Sequence, residues 1–312
     1  FAAPTTGFPA DHFFHGLLVG VLDELRKREG HILYPFVGAW TPKLREVAGT
    51  RFERVDEFRN EIVKLLREDW LPLPDERTAS YFRGLLRFYN EYEYPLRVFS
   101  LNYDLCVERS CGNDFVQRGF SETQHWDWRL FDETSEDPRP LLLYKLHGST
   151  DWRREVDGRV KCIDDSSAIS HDRVALIFGT AYKMQYTDPF LFLAYELRRW
   201  TLDVSRLIIT VGYGFQDDHI NGILEQALRQ NAARRVLAVV EPDAVEIERR
   251  EHIRRLLKAR EGQIVVWPLG ARYFLTQRLT MDALAELFPE EDDLFDTSEE
   301  LRTHVDSQSE ES

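Results

Sequence analysis

Apolar residues recur at helical spacing three times in the first third of the chain. Over 13–28, Phe13, Leu17, Leu18, Val21, Leu22 and Leu25 share one face, and Gly30 supplies a stop. Over 52–68 the same face is built by Phe52, Val55, Phe58, Ile62, Leu65 and Leu66. Over 79–92 it is built by Tyr81, Leu85, Phe88 and Tyr92. The period then changes. Short apolar, partly β-branched runs stand at 96–101, 141–146, 173–178, 206–211, 235–240 and 263–267. Several are almost continuously apolar, as strands covered on both faces are. Helical spacing separates the later runs, over 188–204, 217–231 and 243–260, and a short helix is predicted over 280–288. Strands alternating with helices predict right-handed crossovers and a parallel sheet. The expected fold is therefore α/β, a doubly wound Rossmann-like parallel sheet with a smaller helical module inserted. That module is placed mainly over 13–95, with part of 105–140.

Composition fits this picture and narrows it. The 312 residues are 43% hydrophobic and 12% aromatic, enough for a packed core. Forty Lys and Arg stand against 54 Asp and Glu, giving a net charge of −14. A chain that lives on nucleic-acid phosphates is usually basic, so direct nucleic-acid binding is not expected. Residues 289–312 carry −9 of that charge, with ten acids against the single base Arg302, and are read as a disordered tail after a catalytic domain over 1–288. A basic stretch at Arg249, Arg250, Arg254, Arg255, Lys258 and Arg260 is interleaved with Glu246, Glu248, Glu251 and Glu261, which predicts a solvated, ion-paired helix face. Three cysteines, Cys106, Cys111 and Cys162, form no CxxC pair, so neither a disulfide scaffold nor a four-cysteine zinc site is expected. No apolar run approaches the roughly 20 residues of a membrane span, and no signal peptide is visible, so the expected compartment is the cytoplasm.

In doubly wound folds, ligands bind beyond the carboxyl ends of the strands. Here those positions hold Asn102-Tyr103-Asp104, His147-Gly148-Ser149, Gly212-Tyr213-Gly214-Phe215-Gln216-Asp217 and Glu241-Pro242. Each alone is an ordinary turn; four at equivalent places are a candidate site. Histidine is the side chain whose ordinary pKa lies near neutrality, so His147 can act as a base. Asn102 offers a donor and an acceptor, and Asp104 can accept from an amide or a ribose hydroxyl. Gly212 and Gly214 let backbone amides approach a phosphate at a helix start, and Glu241 stands where an acid can hold ribose hydroxyls. The set suits a dinucleotide, although a full GxGxxG is absent. The cluster His125-Trp126-Asp127-Trp128 is read as packing the helical module rather than lining a nicotinamide pocket.

At these residues the sequence resembles the sirtuin-like superfamily, and within it the bacterial sirtuin-like NAD-hydrolase domains of antiviral defence. Val98–Asp104 is similar to the family's Thr-x-Asn-Tyr-Asp, Tyr144–Ser149 to its Lys-Leu-His-Gly-Ser, and Ile209–Ile220 to its Gly-Tyr-Ser-x-x-Asp block; Ile177–Lys183 is a weaker match. The resemblance implies a Rossmann-like domain that cleaves the bond between nicotinamide and ribose, with NAD as substrate and no zinc. It implies that Asn102 positions the attacking water and the ribose, Asp104 contacts the carboxamide and His147 is the general base. Gly7, Tyr103, Gly148, Gly212, Tyr213, Gly214, Phe215, Asp217 and Glu241 are the implied NAD-binding positions. The zinc cysteines of deacetylating sirtuins are missing, which favours plain hydrolysis. Gly214 replaces the usual Ser, and Leu101 the usual small polar residue. The family opens with a strand and a Gly-Ala-Gly turn; this sequence starts at Phe1, where that turn ends, so further upstream residues are expected. Activation is expected through a homo-oligomer or a partner such as a helicase-like ATPase or an Argonaute-like protein. The alternatives are a non-catalytic NAD or ADP-ribose sensor and, less favoured, a protein deacylase.

Overall fold

The computed structural model describes residues 57, 60, 61, 63–71, 76–132, 139–177 and 188–288. The helix expected over 13–28, most of that over 52–68, Gly7, residues 178–183 and the acidic tail lie outside them.

Two three-stranded parallel sheets carry the fold. In the first, β1 (Leu96–Ser100) and β2 (Val116–Gln117) flank β3 (Leu141–Lys145), with Leu96 opposite Leu141 and Ser100 opposite Lys145. In the second, β7 (Leu207–Val211) and β9 (Ile264–Pro268) flank β8 (Arg235–Val240). The central strands are the most apolar because both of their faces are covered. Val236, Ala238 and Val240 pack with Leu224 and Leu228 of α4 (Asp218–Gln230) and Ile253 of α5 (Glu246–Leu256). The alternate residues Leu237 and Val239 pack on the opposite side with Phe274, Leu275 and Phe88, the last from α1 (Gly84–Tyr92). Residues two apart share a face of a strand, so this alternation places a helical layer on each side of the sheet. β3 does the same. Leu142 and Tyr144 meet Phe190, Leu193 and Leu197 of α3 (Phe190–Arg199), while Leu141 and Leu143 meet Val107 and Cys111 of α2 (Cys106–Cys111).

The run at 173–178 departs from expectation. Its strand, β6 (Val174–Leu176), joins no parallel sheet and pairs antiparallel with β4 (Gly148–Arg154), which also pairs antiparallel with β5 (Val160–Cys162). The reason lies at Gly148. Only two residues separate β3 from β4, too few for the crossover a parallel neighbour needs. Gly148 has φ +88°, and a Cβ there would lie 2.1 Å from the Ala175 carbonyl oxygen. The chain therefore turns into a new sheet through a position that only glycine fits.

Trp126 packs against Phe120, Phe131 and Phe192, as the packing reading expects. The basic helix face is ion-paired as expected, Arg250 with Glu246 and Arg254 with Glu251. No described helix is long and apolar enough to cross a membrane.

Candidate functional site

The turn after β1 is shaped by its own side chains. The Asn102 amide donates to the Ser100 hydroxyl at 3.2 Å. Asn102 is exposed, and its carboxamide has no hydrogen-bond partner among the described residues. Tyr103 points the other way. Its hydroxyl donates to the Ile177 carbonyl at 2.6 Å, and its own carbonyl accepts from the Thr150 amide at 3.1 Å. Burial, with the charge of Asp217 second, pushes the Tyr103 phenol well above its ordinary pKa, so it stays a neutral donor. Asp104 Oδ1 accepts from the amide of Cys106, the first residue of α2, at 2.9 Å, so the turn leads directly into that helix.

The end of β3 is stitched to that turn. The Leu146 amide donates to the Ser100 carbonyl at 3.0 Å, and the Ile177 amide donates to the His147 carbonyl at 2.9 Å. His147 is 7% exposed. Its Nδ1 lies 3.2 Å from the Leu101 carbonyl oxygen, and its Nε2 lies 3.4 Å from Asp217 Oδ2. A carbonyl oxygen can only accept, so Nδ1 carries a proton. The second nitrogen, Nε2, faces a buried carboxylate. Asp217, 5% exposed, comes from the far sheet; its Oδ1 caps α4 by accepting from the His219 amide at 3.1 Å. The pair thus joins the carboxyl ends of the two parallel sheets.

The turn after β7 divides into an open half and a packed half. Gly212 has φ +64°, is exposed, and a Cβ built there meets nothing within 4 Å. Its amide donates to the Val239 carbonyl at 3.0 Å. Gly214 is also exposed. Phe215, at φ +56°, is buried against α4 and α5, and the Tyr213 hydroxyl donates to Asn221 Oδ1 at 2.9 Å. Burial, with Asp217 second, raises the Tyr213 phenol pKa. Glu241, just beyond the end of β8, is exposed and ion-paired with Arg249. Its own backbone amide, opposed by burial and supported by Arg249, holds its carboxyl below the usual range.

The fold therefore brings Asn102, Tyr103, Asp104, His147, Gly148 and Asp217 into one connected group. Gly212, Gly214 and Glu241 stand on the neighbouring strand ends of the second sheet. Tyr213 and Phe215 face the helical layer. Sequence reasoning missed the partnership of Asp217 with His147, residues 70 positions apart in the chain, which no local pattern signals. The described residues contain no group of three or more His, Cys, Asp or Glu side chains that could hold a metal ion.

The thiols beside this group are quiet. Burial pushes Cys106 up to about 12, Cys111 to about 11 and Cys162 to about 12. At pH 8 about one thiol in a thousand or fewer is then a thiolate. Native protein is expected to resist a thiol-specific reagent at pH 8 and to label at all three cysteines in denaturant; rapid labelling of Cys106 in the native protein would contradict this.

A family model described as SIR2-like domain matches residues 96–264. No curated protein matches the chain.

Proposed function

The chain belongs to the family of SIR2-like domains, which are generally NAD-dependent enzymes, and from that premise we propose that it is an NAD glycohydrolase. NAD is cleaved by water to nicotinamide and ADP-ribose. The observation that supports this reading is that the turn presenting the exposed Asn102, whose carboxamide has no partner among the described residues, is held against the buried His147 through the Leu101 carbonyl, with the second nitrogen of His147 facing Asp217. Bond breaking leaves an oxocarbenium-like ribose and neutral nicotinamide, so the protein needs positioning and charge placement rather than a covalent partner. Asn102 holds the ribose and the water. His147 Nε2 takes the proton released as water adds to the anomeric carbon, and Asp217 stabilises the imidazolium formed. Asp104 reaches the carboxamide of nicotinamide with Oδ2. The exposed turn takes a phosphate at Gly214, with Gly212 leaving room for it, and Glu241 takes ribose hydroxyls.

The absence of a CxxC pair in the sequence favours hydrolysis over deacylation. The test is chromatography of NAD reactions run with and without an acetylated peptide. Equal nicotinamide and ADP-ribose without the peptide supports the proposal. Product that forms only when the peptide is present would assign a deacylase instead, and NAD binding without turnover a sensor.

We further propose that the activity serves bacterial antiviral defence by depleting NAD, in a homo-oligomer or with an activating ATPase or Argonaute-like partner. The resemblance of the three sequence blocks supports this step. A fall in cellular NAD on phage infection, absent with Asn102→Ala, is the expected result.

Asp217→Asn separates two tasks of one residue. Asparagine caps a helix about as well as aspartate, so α4 and the melting temperature are expected to hold. The charge facing His147 is lost, and kcat is expected to fall by about 10²-fold. Steady-state kinetics beside a thermal melt checks both.

A further inference from the structure

Beneath the Asn102–Asp104 turn lies a buried charge network that the proposed reaction does not use. Lys145, the last residue of β3, is 1% exposed. A buried ammonium is costly unless it is paired and hydrogen-bonded. Lys145 Nζ donates to the Asp104 carbonyl oxygen and stands 3.6 Å from Glu108 Oε1. Glu108, on α2, also faces Arg118 Nε at 3.5 Å, and Arg118 Nη2 donates to Asp151 Oδ2 on β4 at 2.6 Å. Two cations and two anions leave the cluster neutral. Burial opposes the charge on Arg118, but the carboxylates of Asp151 and Glu108 outweigh it and raise the guanidinium above its ordinary pKa. Arg118 and Asp151 are therefore held as a charged, hydrogen-bonded pair.

This network clamps the turn at Asp104. Its carbonyl is held by Lys145, and its carboxylate accepts from the amide of Cys106, the first residue of α2, the helix that carries Glu108. Lys145 is also two residues from His147. One side chain thus ties the turn that presents Asn102 to the strand that presents the base. We propose that Lys145, anchored by Glu108, is a positioning residue that holds Asn102 in register with His147. This rests on the NAD-cleavage reading above. Lys145 touches no substrate; a displacement of about 1 Å at the turn it holds is enough to cost about 10²-fold in rate.

The test is a double variant, Lys145→Met with Glu108→Gln, which removes one charge of each sign and leaves the Arg118–Asp151 pair intact. A merely structural network would show itself in the melting temperature. A positioning network shows itself in kcat and in the local exchange of the turn. We expect a melting temperature within a few degrees of wild type. Amide exchange in the peptide spanning 101–106 is expected to rise about tenfold while that of β8 stays fixed. The kcat for NAD is expected to fall about 10²-fold with KM nearly unchanged. Wild-type exchange over 101–106 would overturn the proposal, and so would raised exchange with wild-type kcat. If the double variant does not fold, Glu108→Gln alone replaces it, with the same directions expected and the same contrary results. If wild-type protein cleaves no NAD at all, the functional reading fails separately, and exchange over 101–106 still decides whether Lys145 holds the turn.

Discussion

His147→Ala is expected to lower NAD turnover by about 10³-fold, within the range general-base removal produces. Neither the nearby phenol nor the nearby thiol replaces the base. Tyr103 is committed to the Ile177 carbonyl with its pKa raised, and the thiol of Cys106 is held up near 12 by burial. The substitution also has a structural effect that must be kept apart from the chemical one. It removes the donor that faces the Leu101 carbonyl and the imidazole that faces Asp217 Oδ2. Losing a buried polar partner costs about 1–3 kcal/mol, so a lower melting temperature accompanies the loss of activity. His147→Gln returns an amide donor to the site but no base. It is expected to recover much of the stability and none of the turnover. Melting curves and initial rates on the two variants side by side check both halves. An active His147→Gln would remove His147 from the chemistry.

Gly148→Ala is expected to be a severely damaging addition of a single methyl group. The φ of +88° alone costs an L-residue about 1–2 kcal/mol. The added Cβ then falls 2.1 Å from the carbonyl oxygen of Ala175, a backbone atom of the strand paired with β4. Backbone cannot swing aside as a flexible side chain can, so β4 must part from β6. A loss of more than about 3 kcal/mol, or no native protein, is the expected outcome of denaturant unfolding. Gly212→Ala is the control. It shares the positive φ, +64°, but a Cβ there meets nothing within 4 Å, so it is expected to cost only about 1 kcal/mol. Its expected penalty is weaker NAD binding, because the methyl stands where a phosphate approaches the turn. Equal losses of stability in the two variants would contradict this division between a structural and a ligand-facing glycine.

The contrast between these glycines shows what the sequence makes legible. Runs such as 141–145 and 235–240 announce themselves because both faces are buried, and the turns beyond them locate the site without any knowledge of contacts. The same sequence conceals β4. Ser149, Thr150 and Asp151 have the composition of a turn, yet all are buried, because the Thr150 amide bonds the Tyr103 carbonyl and Asp151 bonds Arg118. Residues 173–178 look like another strand of the parallel sheet, because apolarity reports burial and not pairing direction. The role of Asp217 is hidden for a related reason. Its place before α4 announces a cap, and the cap is there. The second oxygen, turned to His147, answers to a residue 70 positions away on another sheet. Periodicity and turn chemistry speak of neighbours in the chain; partnerships across it belong to the folded molecule.

The most direct measurement of the central claim is nicotinamide release from NAD by wild type and Asn102→Ala, each first shown by calorimetry to bind ADP-ribose. Asn102 is exposed and its carboxamide bonds nothing among the described residues, so its loss disturbs the reaction and not the fold. Release by wild type, with at least about 10²-fold less from a variant that still binds ADP-ribose, is the expected result. Equal release from both proteins would contradict it.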